Sequence, residues 1–497
     1  MKQCILNSSK IALSFTTFIT LCFLSGCESM LEEPVKSQFA EENLLSTKQG
    51  LESVLADAYA KNDNGTRTRN IVKREEFTTD ILWQTGGGEN GTAMPLMTFR
   101  WDPSNEMEAI CWMGYWRVIR NTNIVMDNLP NVADITNEKD RNELYAEAQF
   151  MRIWAYYELW NQFGPLPIRK SQNDPLELPK ATTEEFQAFM ESELLETIAN
   201  LPSPGNEPAY GRVHSGGARA LLCKWYLNTH QWQKCADMAQ EIISSGSFAL
   251  YPDYKQMFAL ENEKNSEFIL VKTTLANSGT VNNHLATALP WDFHKGLDGG
   301  IEGVINEKWE NFASQYRMYD EFYYSFAPND TRKSRILTKY EDSKGNVVDL
   351  LVDYKDATRG IKYPPDPAAS GNAHGNDFPA IRYADILLAK AEALNELNGP
   401  NQESIDLINM IRNRAQIENV FLADFSSKEA LLEQILKERR WEFWYEGHRR
   451  RDLIRNNRFI QYAKNRGISN ADNHHVWFPI PQSAIDANSL LKQNDGY

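Results

Sequence analysis

The chain has 497 residues, 42% of them hydrophobic, 24% charged and 11% aromatic. That composition excludes a disordered chain, a collagen and a disulfide miniprotein, and it leaves enough apolar chain for a sizeable core. The formal charge is −15, from 52 basic and 67 acidic residues, and no basic block offsets it. Such a chain repels phosphate backbones, so nucleic acid is excluded as a partner.

Lys2 and Lys10 give a positive start, and an apolar run follows from Ile11 to Leu24. The run falls short of the about 20 apolar residues that span a bilayer, so residues 1–26 read as a signal peptide. Leu24-Ser25-Gly26-Cys27 resembles the lipobox of bacterial lipoproteins, which implies cleavage before Cys27 and acylation of its thiol. Residues 27–42 read as a tether. The cysteines left after the leader and Cys27 are Cys111, Cys223 and Cys235, an odd number for a disulfide framework. Cys223 and Cys235 fall on two arms of one predicted hairpin and either pair or serve as small buried side chains.

Periodicity predicts helices over 43–60, 108–129, 141–163 and 183–200, the last stopped by Leu201-Pro202. Residues 62–107 read as irregular, with loop signals at Gly86-Gly87-Gly88, Asn90-Gly91 and Asp102-Pro103. A helix–turn–helix follows, 217–227 and 232–244, and Ala236 and Ala239 allow its arms to pack closely. These pairs resemble tetratricopeptide hairpins without a clean repeat. Phe268 to Lys272 reads as a strand. Residues 273–302 and 340–376 are loop-rich, and helices resume at 378–396, 402–415 and 428–445. The tail from Val476 reads as loop. The expected fold is therefore all-α: helical hairpins from 43–250 and 377–497 form a scaffold, and 251–376 is a loop-rich, aromatic-rich insertion suited to ligand binding.

Several segments carry a family resemblance. Glu147-Ala148-Gln149-Phe150-Met151-Arg152 runs on through Tyr156-Tyr157 to Phe163-Gly164-Pro165. Later come Asp253-Tyr254, Ile381-Arg382-Tyr383-Ala384-Asp385, and Ile408-Asn409 with Arg412 and Arg414. Glu438-Arg439-Arg440-Trp441-Glu442 with Glu446-Gly447-His448-Arg449 and Asp452 follows, then Phe478-Pro479-Ile480-Pro481 and Gln493 to Tyr497. In this order they resemble the SusD/RagB-like outer-membrane lipoproteins. The resemblance implies a tetratricopeptide-like fold outside the cell, lipid-anchored to the outer membrane. It also implies a SusC-like TonB-dependent transporter as partner and an oligosaccharide ligand, or in some members a peptide, bound and not cleaved.

Glu442 and Glu446, four apart, are expected to share a helix face and could be an acid–base pair for glycoside cleavage. The arginines around them would keep both ionised and remove the general acid, and His448 falls about 240° round the same helix. A structural ion-pair network is the expected reading. No metal-ligand spacing and no phosphate-binding motif occurs, so neither metal nor cofactor is expected. His474 and His475 are adjacent and on a regular element would not face one site. Trp112, Trp116, Trp154, Trp160, Trp225 and Trp441 have core spacing. Trp83, Trp101, Trp291, Phe293 and Trp309 lie in or beside loops. Sugars offer apolar C–H faces to an indole and hydroxyls to Asp or Asn. Trp83, Trp291, Asp292 and Trp309 are the expected ligand contacts, with Asn282 and Asn283 just upstream.

Overall fold

The computed structural model describes residues 44–63, 67–88, 90–304, 308–311 and 315–497. The expected leader, Cys27 and the tether lie outside the described residues. In chain order the elements begin with α1 (Lys48–Asp63), α2 (Arg67–Glu76), β1 (Leu82–Thr85), α3 (Asn90–Thr98), α4 (Glu106–Asn128), α5 (Glu138–Phe163), α6 (Thr183–Asn200), α7 (Ser215–Asn228) and α8 (Trp232–Ser244). The middle holds β2 (Phe268–Lys272), α9 (His284–Ala288), β3 (Phe293–Gly296), β4 (Gly303–Val304), β5 (Gln315–Met318), α10 (Asp320–Ser325), β6 (Ile336–Leu337), β7 (Lys339–Asp342), β8 (Val347–Asp349) and β9 (Arg359–Gly360). β10 (Phe378–Arg382) then leads into α11 (Tyr383–Asn398), α12 (Gln402–Arg414), α13 (Lys428–Glu442), α14 (Arg449–Arg455), α15 (Phe459–Asn465) and α16 (Gln482–Ala487).

The helices start and stop where side chains satisfy their end groups. Thr182 and Glu185 form a reciprocal capping box at the start of α6, and Asn137, Asn401 and Ser427 accept backbone N–H groups at the starts of α5, α12 and α13. Gly164 ends α5 at φ 75°, a conformation open to glycine at little cost. The α7–α8 hairpin closes through small residues: Ala236 and Ala239 are buried, and Cys223 Sγ stands 3.9 Å from Cys235 Sγ as two free thiols. This hairpin packs on α11, while α1 and α5 pack on α4. One apolar core runs continuously from Leu51 to Leu491 through both helical regions. The fold is a helical, tetratricopeptide-like scaffold that carries a loop-rich middle.

That middle has its own small framework. β3 is the hub of a four-stranded antiparallel sheet in the order β4-β3-β7-β8, and β6 pairs with β9. A second apolar cluster lies beneath, formed by Leu285, Leu289, Phe293, Leu337, Tyr340 and Ile361 among others. β5 reaches back 230 residues to pair with β1, with Trp83 opposite Arg317. An isolated bridge from Met318 to Thr358 sets the β9 segment beside β5.

Four expectations need correction. Residues 62–107 hold α2, β1 and α3. The apolar residues within α2 are Ile71 and Val72, and it buries Arg74, Glu75 and Glu76 beside them, so it has no apolar period to read. α3 begins at Asn90-Gly91 and contains Pro95. The helix expected over 378–396 starts at Tyr383, because Phe378–Arg382 pairs antiparallel with β2. Helix α13 ends at Glu442, and Tyr445 adopts φ 61° beyond it. The tail includes α16.

Candidate ligand-binding site

The carboxylates come first, because they are the groups with catalytic potential. Glu442 and Glu446 do not share a helix, yet both are fully buried in one arginine network. Arg414 Nη2 donates to Glu442 Oε1 at 2.6 Å, and Arg382 Nη1 lies 2.9 Å from the same oxygen. Arg382 Nε donates to Glu446 Oε2 at 2.7 Å, and Lys362 holds the other oxygen. Burial alone would raise the Glu442 pKa, but Arg414, Arg382 and Arg332 pull it down to about 2. The same balance lowers Glu446. Neither group has a proton to give at neutral pH, so the pair is a structural ion network. His448 lies beyond the end of α13. Its Nδ1 is 2.7 Å from Lys224 Nζ and 3.6 Å from Asp385, and burial then Lys224 push its pKa down to about 3.

A cavity enclosed by Lys224, Arg439, His448, Arg451 and Asp452 measures about 60 Å³. Small-molecule pockets start at about 300 Å³, so it does not admit an oligosaccharide. Among the described residues no cluster of His, Cys, Asp and Glu is arranged to hold a metal ion. His474 and His475 bring their rings to 3.9 Å, tilted by 34°, on a short 3-10 turn, closer than a regular element would place them.

The outer surface of the middle segment offers a different chemistry. On β1, Leu82 and Gln84 are buried while Trp83 and Thr85 face outward, and on β5 Arg317 is the outward residue. Trp83 and Arg317, directly opposite, therefore share one face. The Arg317 guanidinium lies 5.4 Å from the Trp83 ring centroid. Trp83 Nε1 donates to the Asp356 carbonyl at 2.7 Å, which ties the indole to the turn carrying Tyr354. Tyr354 is 52% exposed.

The turn before β3 is braced in its own way. Phe293 N–H donates to the Pro290 carbonyl at 3.0 Å, Ser343 N–H donates to the Asp292 carbonyl at 2.9 Å, and Tyr340 Oη donates to Asp292 Oδ1 at 2.8 Å. The backbone is thus held on both sides, and Trp291 at its tip is 72% exposed. Arg359, set beside β5 by the Met318–Thr358 bridge, feels the charges of Arg317 and Asp292. A platform of rings with a carboxylate and guanidinium groups among them can stack on a flat apolar face and hydrogen-bond its rim.

Of the expected contacts, Trp291 is the most exposed, Trp83 and Asp292 are half-buried beside the charged pair, and Trp309 is half-buried over the second apolar cluster, edge-on to His374 at 5.6 Å. Trp101 and Phe293 are core residues: Trp101 packs on Phe99, His475 and Phe478, and Phe293 stacks on Tyr340. Asn282 and Asn283 are buried too, Asn282 donating to the Asn376 carbonyl. The six helical tryptophans pack in or against the core as their spacing predicts. Arg317, Tyr340 and Tyr354 escaped the sequence reading. Only the pairing of β1 with β5 places Arg317 beside Trp83, and a pairing of that range leaves no local signal.

Comparison with known proteins agrees with this architecture. Residues 245–497 match the family described as SusD family, and residues 31–227 match one described as starch-binding, associating with outer membrane. The SusD-like protein P38 of Formosa agariphila is 24% identical over 522 aligned positions, covering 98% of this chain and 99% of its own. The starch-binding protein SusD of Bacteroides thetaiotaomicron is 23% identical across 84% of each chain. Among solved structures, a laminarin-binding SusD-like protein superposes with a TM-score of 0.75 at 22% identity, covering 91% of this chain and 100% of its own.

Proposed function

The chain belongs to the SusD family, and on that premise we propose that it is a surface lipoprotein that captures oligosaccharides and passes them intact to an outer-membrane transporter. The observation that carries this reading is the exposed Trp291 on its braced turn together with the outward-facing Trp83–Arg317 pair on the β1–β5 ladder. Trp291 and Trp83 are the stacking platforms, Asp292 a hydrogen-bonding rim, and Trp309 a flanking contact from the adjoining loop. Relatives described as binding starch and laminarin support a glycan as the ligand class. The family description that mentions the outer membrane supports the location.

In this reading residues 1–26 are the leader, Cys27 carries the lipid, 27–42 is the tether, 43–250 and 377–497 form the scaffold, and 251–376 with β1 forms the binding portion. The partner is a SusC-like TonB-dependent transporter, for which the bound protein acts as a lid. Anchoring both proteins in one membrane raises their effective concentration, so each sugar contact need be only modest. The protein binds without cleaving, because its conspicuous carboxylate pair is locked among arginines. A glycan array probed with the detergent-solubilised lipoprotein tests the proposal. Binding to at least one oligosaccharide, with no new reducing ends, supports it. Silence on every glycan together with binding to peptides would replace it.

A further inference from the structure

Arg332, Arg382, Arg414, Arg439 and Arg455, all buried, each pair with at least one carboxylate. Among the described residues Arg317 and Arg359 have no carboxylate partner, as is also true of the buried Arg335 and Arg451, but Arg317 is the one that faces outward beside a tryptophan. Arg359 is 3% exposed, its Nη1 donates to the Tyr316 carbonyl at 3.3 Å, and its Nε has no partner. The buried Arg317 Nε likewise has none. Asp292 is the carboxylate that bears on Arg359, and Oδ1 of that group is committed to Tyr340.

Two like charges side by side, partly or wholly out of water, are costly. Burial and the neighbouring Arg317 bring the Arg359 pKa down to about 9, and burial lowers Arg317. On a chain with 67 acidic and 52 basic residues, the outward-facing Arg317 has no ion-pair partner among the described residues, and that is the informative feature. A guanidinium fork matches a carboxylate or a sulfate oxygen pair. The Arg317 guanidinium lies over the Trp83 ring, 5.4 Å from its centroid, so a sugar that reaches this indole from solvent meets the guanidinium.

We propose that the oligosaccharide taken by this face is anionic, bearing a carboxylate or a sulfate ester, and that Arg317 is the specificity-determining residue that reads the charge; this rests on the glycan-binding reading above. Arg359, behind it, is a positioning residue that adds to the field.

The test is calorimetry on the detergent-solubilised lipoprotein with two matched pairs of probes. One pair is an oligouronate and its carboxyl-reduced counterpart, and the other is a sulfated oligosaccharide and its desulfated counterpart. The expected result is at least tenfold tighter binding of one charged member over its neutral twin, with affinity falling as salt rises. The pair that shows it identifies the anion as carboxylate or sulfate. Arg317→Gln should erase that preference, while its melting temperature stays that of the wild type and Arg317→Lys restores part of the affinity. Equal affinity for charged and neutral twins, with Trp83→Ala still weakening binding, would overturn the inference and leave the glycan-binding reading intact. Binding of no glycan of either charge would overturn both.

Discussion

Glu442 offers the sharpest separation between a structural and a catalytic carboxylate, and Glu442→Gln keeps its shape while removing its charge. The wild-type carboxylate is fully buried, with Arg414 at 2.6 Å, Arg382 at 2.9 Å and Arg332 at 3.8 Å. The fall of its pKa from 4.5 to about 2 corresponds to about 3 kcal/mol of stabilisation. Removing one partner of a buried pair costs about 3–5 kcal/mol. The low end applies here, because Arg414 and Arg382 keep Glu267, and Arg332 keeps Asp330 and Glu438. A folded-state pKa below the unfolded value gives stability that is present above about pH 4.3 and disappears as the pH falls through about 2. Denaturant unfolding should therefore show a deficit of about 3 kcal/mol for the variant at pH 7, narrowing between pH 4 and pH 2. Oligosaccharide affinity of the folded variant should be unchanged. An unaltered midpoint at pH 7, or a deficit that persists undiminished at pH 2, would refute this account of the network.

Other outcomes follow from the same geometry. A Cβ on Gly360 would stand 2.5 Å from the Tyr445 ring and 2.8 Å from Trp444, so Gly360→Ala should cost about 1–3 kcal/mol by overpacking, read as a lowered denaturation midpoint. Denatured without reductant, the chain should take up a thiol reagent at Cys111, Cys223 and Cys235, whereas the native protein should resist it at these buried sites; reaction at Cys111 alone of the three in the denatured chain would show a disulfide instead. Cys27→Ser should abolish incorporation of radiolabelled fatty acid and release the protein from the membrane fraction. An acylated Cys27→Ser protein would rule out that thiol as the lipid site.

The long helices were legible because each carries a local signature. Thr182 and Glu185 announce the start of α6, Leu201-Pro202 its end, and the small residues of α8 its tight packing against α7. Strand β2 was also readable, as a short apolar run. What escaped depends on partners distant in sequence. Phe378–Arg382 reads as helix until β2 claims it, and α2 hides because its buried side chains are charged. Glu442 and Glu446 meet by a chain reversal and not by one helical turn. The proposed binding face shows both limits at once. Its tryptophans could be proposed from composition, but the cation beside Trp83 arrives from a strand 230 residues onward.

The central claim is that flat rings outside the cell hold a sugar and release it unchanged. The measurement that meets it directly is calorimetry of the intact lipoprotein with an oligosaccharide selected by array, followed by mass analysis of the recovered ligand. The account predicts saturable binding, a ligand of unaltered mass, and a loss of about 1–3 kcal/mol for each of Trp83→Ala and Trp291→Ala. Full affinity in both variants, or recovery of shortened fragments, would contradict it.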